Sequence, residues 1–128
     1  MLIYAQTHGE LSTNSGTFTP MPGLSVKLPR GVQVSALLIL NIPNPYARGN
    51  DFPGGTFGLR IESTMAAPVA VFTYNEQVPQ SAGRVPTTLS LVVPLNDAHE
   101  TTVTAMWSGV RGSTVIVDTP TTLTAIIG

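Results

Sequence analysis

The chain has 128 residues, and charged side chains make up 10% of them, against roughly 25% in an average soluble domain. Its net charge is −1, so it lacks the basic footprint of a nucleic-acid or anionic-membrane binder. It has no cysteine, which excludes disulfides and thiolate chemistry, and the fold must hold by packing and backbone pairing alone.

In chain order, strands are expected near residues 2–6, 16–19, 24–28, 32–42, 56–62, 69–75, 87–95, 101–108, 113–118 and 121–127. The first, Met1-Leu2-Ile3-Tyr4 onward, has no basic region or cleavage pattern ahead of it, so no signal peptide is read there. Pro20-Met21-Pro22-Gly23 reads as a turn between the second and third strands, and Pro29-Arg30-Gly31 as the next. The run 32–42 is apolar on nearly both faces through Val34, Ala36, Leu37, Leu38, Ile39 and Leu40. One face must cover a core, and a neighbouring subunit is the simplest cover for the other. No run reaches the roughly 18 apolar residues that a helical membrane span requires.

The segment from Ile42 to Gly55 reads as a long proline-rich loop, of a length often given to function. Beyond it the alternation is plain. Phe57, Leu59 and Ile61 alternate with Thr56, Gly58, Arg60 and Glu62. Val103, Ala105 and Trp107 alternate with Thr102, Thr104 and Met106, and Leu123, Ala125 and Ile127 with Thr122, Thr124 and Ile126. A period of two, many β-branched residues and Gly/Pro punctuation about every ten residues indicate a sandwich or barrel. The expectation is a single all-β domain over residues 1–128, with about ten strands and no helix. Scarce charge on a surface of Ser, Thr and apolar residues suits subunit interfaces; a monomer solvated by hydroxyls is the alternative.

Catalytic constellations do not stand out. His8 and His99 lie in polar stretches with no glycine-framed serine nearby. The acids Glu10, Asp51, Glu62, Glu76, Asp97, Glu100 and Asp118 are scattered. Asp97-Ala98-His99-Glu100, the one dense polar patch, reads as a solvated hairpin turn. No calcium loop, metal cluster or phosphate loop is visible, so the expectation is no cofactor, no metal and no enzyme. A glycosidase carboxylate pair distant in the chain would leave no mark of its own.

What remains is a set of hydroxyls and arginines beside aromatics. Thr73-Tyr74 closes one strand, Ser81-Ala82-Gly83-Arg84 forms a turn, and Trp107-Ser108-Gly109-Val110-Arg111-Gly112 closes another strand. A sugar presents neighbouring hydroxyls that both donate and accept. A guanidinium fork can address two of them while keeping its charge, and an aromatic ring can pack on the sugar's apolar face. Those features make a metal-free carbohydrate site. Equally, Arg84 and Arg111 can pair with acids at the rim, Trp107 can be core, and Tyr74 can be half-buried packing with its hydroxyl in water.

The strings LNIPNPYARGNDFPG (40–54), FTYNEQVPQSAGRVP (72–86), WSGVRGS (107–113) and the closing LTAIIG resemble the tumour-necrosis-factor-like fucose-binding lectin domain at the N-terminus of a Burkholderia superlectin. The similarity runs from about Val32 to the C-terminus, and the first thirty residues match weakly. The resemblance implies a jelly-roll sandwich assembled as a homotrimer, with calcium-independent sites between neighbouring subunits. It implies that Thr73, Tyr74 and Arg111 hold fucose from one subunit, and that the adjacent subunit supplies Ser81, Ala82, Gly83 and Arg84. Ala82 stands where the family uses a threonine, and Thr56 where it uses a tyrosine beside the fucose. A surviving monosaccharide site with altered or weaker choice of extended oligosaccharide follows.

The partners so implied are fucosylated glycans of host cell surfaces, reached by secretion or surface display through a non-classical route. The family protein carries a second, calcium-dependent lectin domain after a linker. This chain would be a free-standing relative or an excised domain. Two alternatives stay open: a structural trimeric jelly-roll module, such as a fibre head, without sugar binding, and a lectin of shifted sugar preference. The fold alone decides among none of these.

Overall fold

A computed structural model describes all of residues 1–128. Eleven strands and no helix form three antiparallel sheets. The first sheet has the order β1 (Leu2–Gln6), β11 (Thr122–Ile127), β4 (Ser35–Ile42), β8 (Thr87–Pro94). The second runs β3 (Thr19–Leu28), β9 (Thr101–Val110), β6 (Gly54–Ile61), β7 (Thr64–Thr73). A small third sheet joins β2 (Leu11–Thr13), β10 (Thr114–Val117) and β5 (Tyr46–Arg48).

The core follows from the period of two. On β4, Ala36, Leu38, Leu40 and Ile42 are fully buried, joined from the same sheet by Leu123 and Ala125. Phe57 and Leu59 of β6 and Val103, Ala105 and Trp107 of β9 meet them from the second sheet, and Ala47, Val115 and Val117 from the third. Trp107, 2% exposed, is therefore core rather than a sugar platform. All-β architecture with a core between sheets is a β-sandwich.

The other face of β4 is not covered within the chain. Leu2 lies opposite Ile126, Ile126 opposite Leu37, and Leu37 opposite Val92, so one apolar row crosses all four strands of the first sheet. Their exposures are 67%, 44%, 37% and 63%. The second sheet differs, because Met106 and Ser108, on its outer face, are buried. Gly109 donates its N–H to Ser15 O at 2.7 Å, tying the 14–18 segment to that sheet, and Phe18 and Met65 close over Gly58.

Four expectations need correction. The strand expected at 16–19 starts at Thr19, because Ser15 and Thr17 hydrogen-bond locally as a turn. The presumed turn at Pro20–Gly23 is a bulge inside β3, where the register with β9 slips between Pro20 and Ser25; prolines cannot donate to a ladder and sit well in bulges. The loop 42–55 contains β5, whose three residues pair with β10 and bury Ala47. Asp97–Glu100 is not a hairpin turn, since β8 and β9 belong to different sheets. Asn96 Oδ1 accepts from the N–H groups of Ala98 and His99, an Asx-type turn that carries the chain across.

Candidate functional site

The turn between β9 and β10 holds Arg111. Arg111 has φ 50° and Gly112 φ 75°, and Ser113 N–H donates to Val110 O at 3.0 Å. That is a two-residue hairpin with both central residues left-handed, a form that favours Asn-Gly. Arginine accepts this conformation at a cost. Its side chain lies along the 51–53 segment: Nε–H donates to Asp51 O at 2.9 Å and Nη2–H to Phe52 O. Phe52 is itself left-handed, with φ 44°, and its ring centroid lies 5.8 Å from the guanidinium carbon. A guanidinium has five N–H donors. Two of Arg111's are used here, which leaves three without a partner in the chain.

The same segment carries Thr73 and Tyr74. Tyr74 N–H donates to Pro53 O at 2.8 Å, and Gly54 on β6 pairs with Thr73 on one side and Val110 on the other. Thr73 and Val110 are thus two interstrand steps apart, about 10 Å. Gly54 has to be glycine, because a Cβ would meet Phe72 O at 2.1 Å and Thr73 Cα at 2.8 Å. Thr56 sits one row further along, between Val71 and Ser108. So Thr73, Tyr74, Thr56 and Arg111, distant in sequence, come to one end of the second sheet.

Tyr74 is largely committed inside the chain. Its ring packs edge-on against Phe72, with centroids 6.0 Å apart. Its hydroxyl accepts from Ala47 N–H at 3.1 Å and donates to Gly83 O at 2.7 Å. It latches β5 and the 81–84 turn together, rather than standing with its hydroxyl in water. The exposed Thr73 hydroxyl has no partner in the chain. A cavity of about 440 Å³ lies between Tyr74 and Ser81, lined also by Asn75, Glu76, Pro79 and Gln80.

Arg84 belongs to a second cluster. It makes a two-pronged pair with Asp118, Nη1 to Oδ1 at 2.8 Å and Nη2 to Oδ2 at 2.9 Å, and Nη1 also donates to Asn44 O at 3.1 Å. Its guanidinium carbon lies 4.1 Å from the Tyr46 ring centroid. Three of five donors are used, which leaves Nε–H and one N–H on Nη2. The pairing of Arg84 with a rim acid is the alternative left open by the sequence, and it holds for Arg84 but not for Arg111. Within one chain the clusters of Arg84 (Asn44, Tyr46, Asp118) and Arg111 (Asp51, Phe52) share no residue. Ser81 and Ala82 are exposed or partly so in the turn before Arg84. Tyr46, Asp118 and Phe52 are the residues sequence reasoning missed.

The hydrogen bond from Arg84 holds the Asp118 carboxyl below its ordinary range, and Asp118 in turn raises Arg84. A carboxylate more acidic in the folded chain stabilises fully above the ordinary aspartate value, about pH 4, and that contribution fades as pH falls through the lowered folded value. Acid titration followed by NMR is expected to give Asp118 a midpoint below about 4. Asp118→Asn is expected to remove the pH-dependent change of the Arg84 side-chain resonances that loss of the pair would produce. A midpoint at or above the ordinary value would show that the pair does not persist in solution.

No group of three or more His, Cys, Asp or Glu side chains is placed to hold a metal ion. What the arrangement offers is neutral-polar recognition: two anchored forks with unused donors, hydroxyls of either role, and aromatic rings beside them. A comparison with curated proteins gives no match. The Bc2l-C N-terminal domain family matches residues 7–126, including most of the first thirty residues, where the resemblance is weak. On that match, together with the strings at 40–54, 72–86 and 107–113, the chain belongs to the Bc2l-C N-terminal domain family, the lectin-type N-terminal domain of the superlectin.

Proposed function

We propose that this chain is a calcium-independent lectin domain with a jelly-roll fold, which assembles as a homotrimer and binds fucosylated glycans between neighbouring subunits. The observation that carries it is Arg111. An arginine held left-handed against a left-handed Phe52, at the tip of a hairpin that asparagine would suit better, is local backbone strain of the kind that clusters at functional sites. Its three unused donors match vicinal hydroxyls of a sugar.

Two further observations support the shared site. The Arg84 and Arg111 clusters share no residue and each fork keeps donors unused, which suits a site that takes one fork from each of two neighbours. The in-register apolar row Leu2–Ile126–Leu37–Val92 gives the first sheet a face suited to burial against another copy. Trimeric presentation then multiplies weak single-site binding by roughly 10²–10⁴ on a surface rich in glycans, which suits a host cell surface as the target. Ala82 and Thr56 lack the hydroxyl and ring that the family's threonine and tyrosine supply, so the choice of extended oligosaccharide shifts while the fucose pocket persists.

A glycan array run with and without chelator tests this reading. Fucosylated structures are expected among the bound glycans, with intensities unchanged by chelator. Bound glycans without fucose would replace fucose by another sugar, and an assembled protein that binds nothing would favour a scaffold.

A further inference from the structure

A second groove lies on the outer face of the third sheet. Ser12, Ile116 and Tyr46 form a row across β2, β10 and β5, and Thr114 pairs with Arg48 beside it. Their neighbours Ala47 and Val115 are fully buried in the core, so by the period of two this set faces outward. Glu10, just ahead of β2, completes a groove of about 400 Å³, within the roughly 300–1,000 Å³ of small-molecule sites. Ile116, 6% exposed, forms an apolar floor.

The polar groups around this floor are unspent. The chain's ion pairs are Arg84–Asp118 and a longer His99–Glu62 contact; neither uses Arg48 or Glu10. The side chains of Ser12 and Thr114 and the Tyr46 hydroxyl likewise have no hydrogen-bond partner in the chain. Acid and base thus line one small groove without closing on each other. A row of hydroxyls that donate to Glu10 and accept from Arg48 satisfies both. A sugar carboxylate would meet Glu10, and an amino sugar's cation would meet Arg48, so a neutral pyranose is the chemistry that fits. Tyr46 links this groove to the site already described, because its ring lies under Arg84 at 4.1 Å and faces Arg48 at 5.6 Å.

We infer that the groove is a second saccharide subsite, which takes a neutral pyranose further along the glycan whose fucose is held at Arg84 and Arg111. The inference rests on the lectin reading above and adds to it the residues that choose the oligosaccharide. Its test is calorimetric titration of the assembled protein, Arg48→Ala and Glu10→Gln with free fucose and with a neutral fucosylated tetrasaccharide. Each variant is expected to lose about tenfold in tetrasaccharide affinity, one charge-assisted contact, with fucose affinity unchanged. Unchanged tetrasaccharide affinity in both variants overturns the subsite. An equal loss for both ligands, or a fall in oligomer mass, also overturns it, by giving Arg48 and Glu10 to the fucose pocket or the assembly interface. If the wild type ignores fucose, the lectin reading fails separately. The groove then stands only if neutral oligosaccharides bind and Arg48→Ala weakens them, and falls if they do not.

Discussion

Arg111→Asn is expected to abolish measurable fucose binding while the domain stays folded. Asn-Gly is the preferred pair for a hairpin whose two central residues are left-handed, and positions 111 and 112 have φ 50° and 75°. Relief of backbone strain at 111 offsets the lost bonds to Asp51 O and Phe52 O, so stability is expected to change by no more than about 1 kcal/mol. The sugar loses at least two charge-assisted bonds at roughly 1.5–3 kcal/mol each, which is about a hundredfold or more in affinity. Arg111→Lys keeps the charge but not the fork and is expected to bind nearly as poorly. Calorimetry for binding and thermal unfolding for stability check both halves. Retained fucose binding in Arg111→Asn would remove the residue from the site.

The second large effect is expected from Leu37→Glu. Leu37 stands in the middle of the row Leu2–Ile126–Leu37–Val92, with Ile126 and Val92 as its neighbours in register. Because it faces away from the core and is 37% exposed, the substitution leaves the single chain intact. In an assembly, however, it places a carboxylate in an apolar contact with no partner, at a cost of several kcal/mol. The chain is expected to sediment as a monomer and to lose both the shared site and the avidity. A Leu37→Glu protein that keeps its oligomeric mass would move the interface to another face.

The sandwich was legible wherever one strand faces one core. The alternations at 56–62, 101–108 and 121–127 place Phe57, Leu59, Val103, Ala105, Trp107, Leu123 and Ala125 inside, and all are buried. Short or irregular pairing was not legible. β2 and β5 have three residues each, too few to display a period, and both exist because β10 lies between them. The bulge in β3 reads locally as a turn because proline and glycine serve both. At the site, a break between the strands at 101–108 and 113–118 was legible, but not that Arg111 stands at the tip of a two-residue left-handed hairpin. The partners of Arg84 were not legible either, because Asn44 and Asp118 lie 40 and 34 residues away. Tyr46 had one signal available, an aromatic beside Pro45 with an arginine two residues on, but the nearby prolines concealed its strand.

In the proposed site, Thr56 and Ala82 are expected to bear on which oligosaccharide is chosen. Thr56 on β6 lies between the exposed Val71 and the buried Ser108, where a shorter side chain leaves more of the surface beside Thr73 open. Loss of a ring there removes stacking area, and loss of a hydroxyl at Ala82 removes one hydrogen bond, about 0.5–1.5 kcal/mol net. Neither touches the fork of Arg111.

Subunit complementation tests the claim that two chains build each site. Arg84→Ala and Arg111→Ala are prepared separately, then co-expressed so that mixed assemblies form. Each variant alone is expected to bind no fucose, while mixed assemblies regain it, because some junctions pair an intact Arg84 from one chain with an intact Arg111 from its neighbour. Mixed assemblies that bind no more than the separate variants would contradict a site shared between subunits.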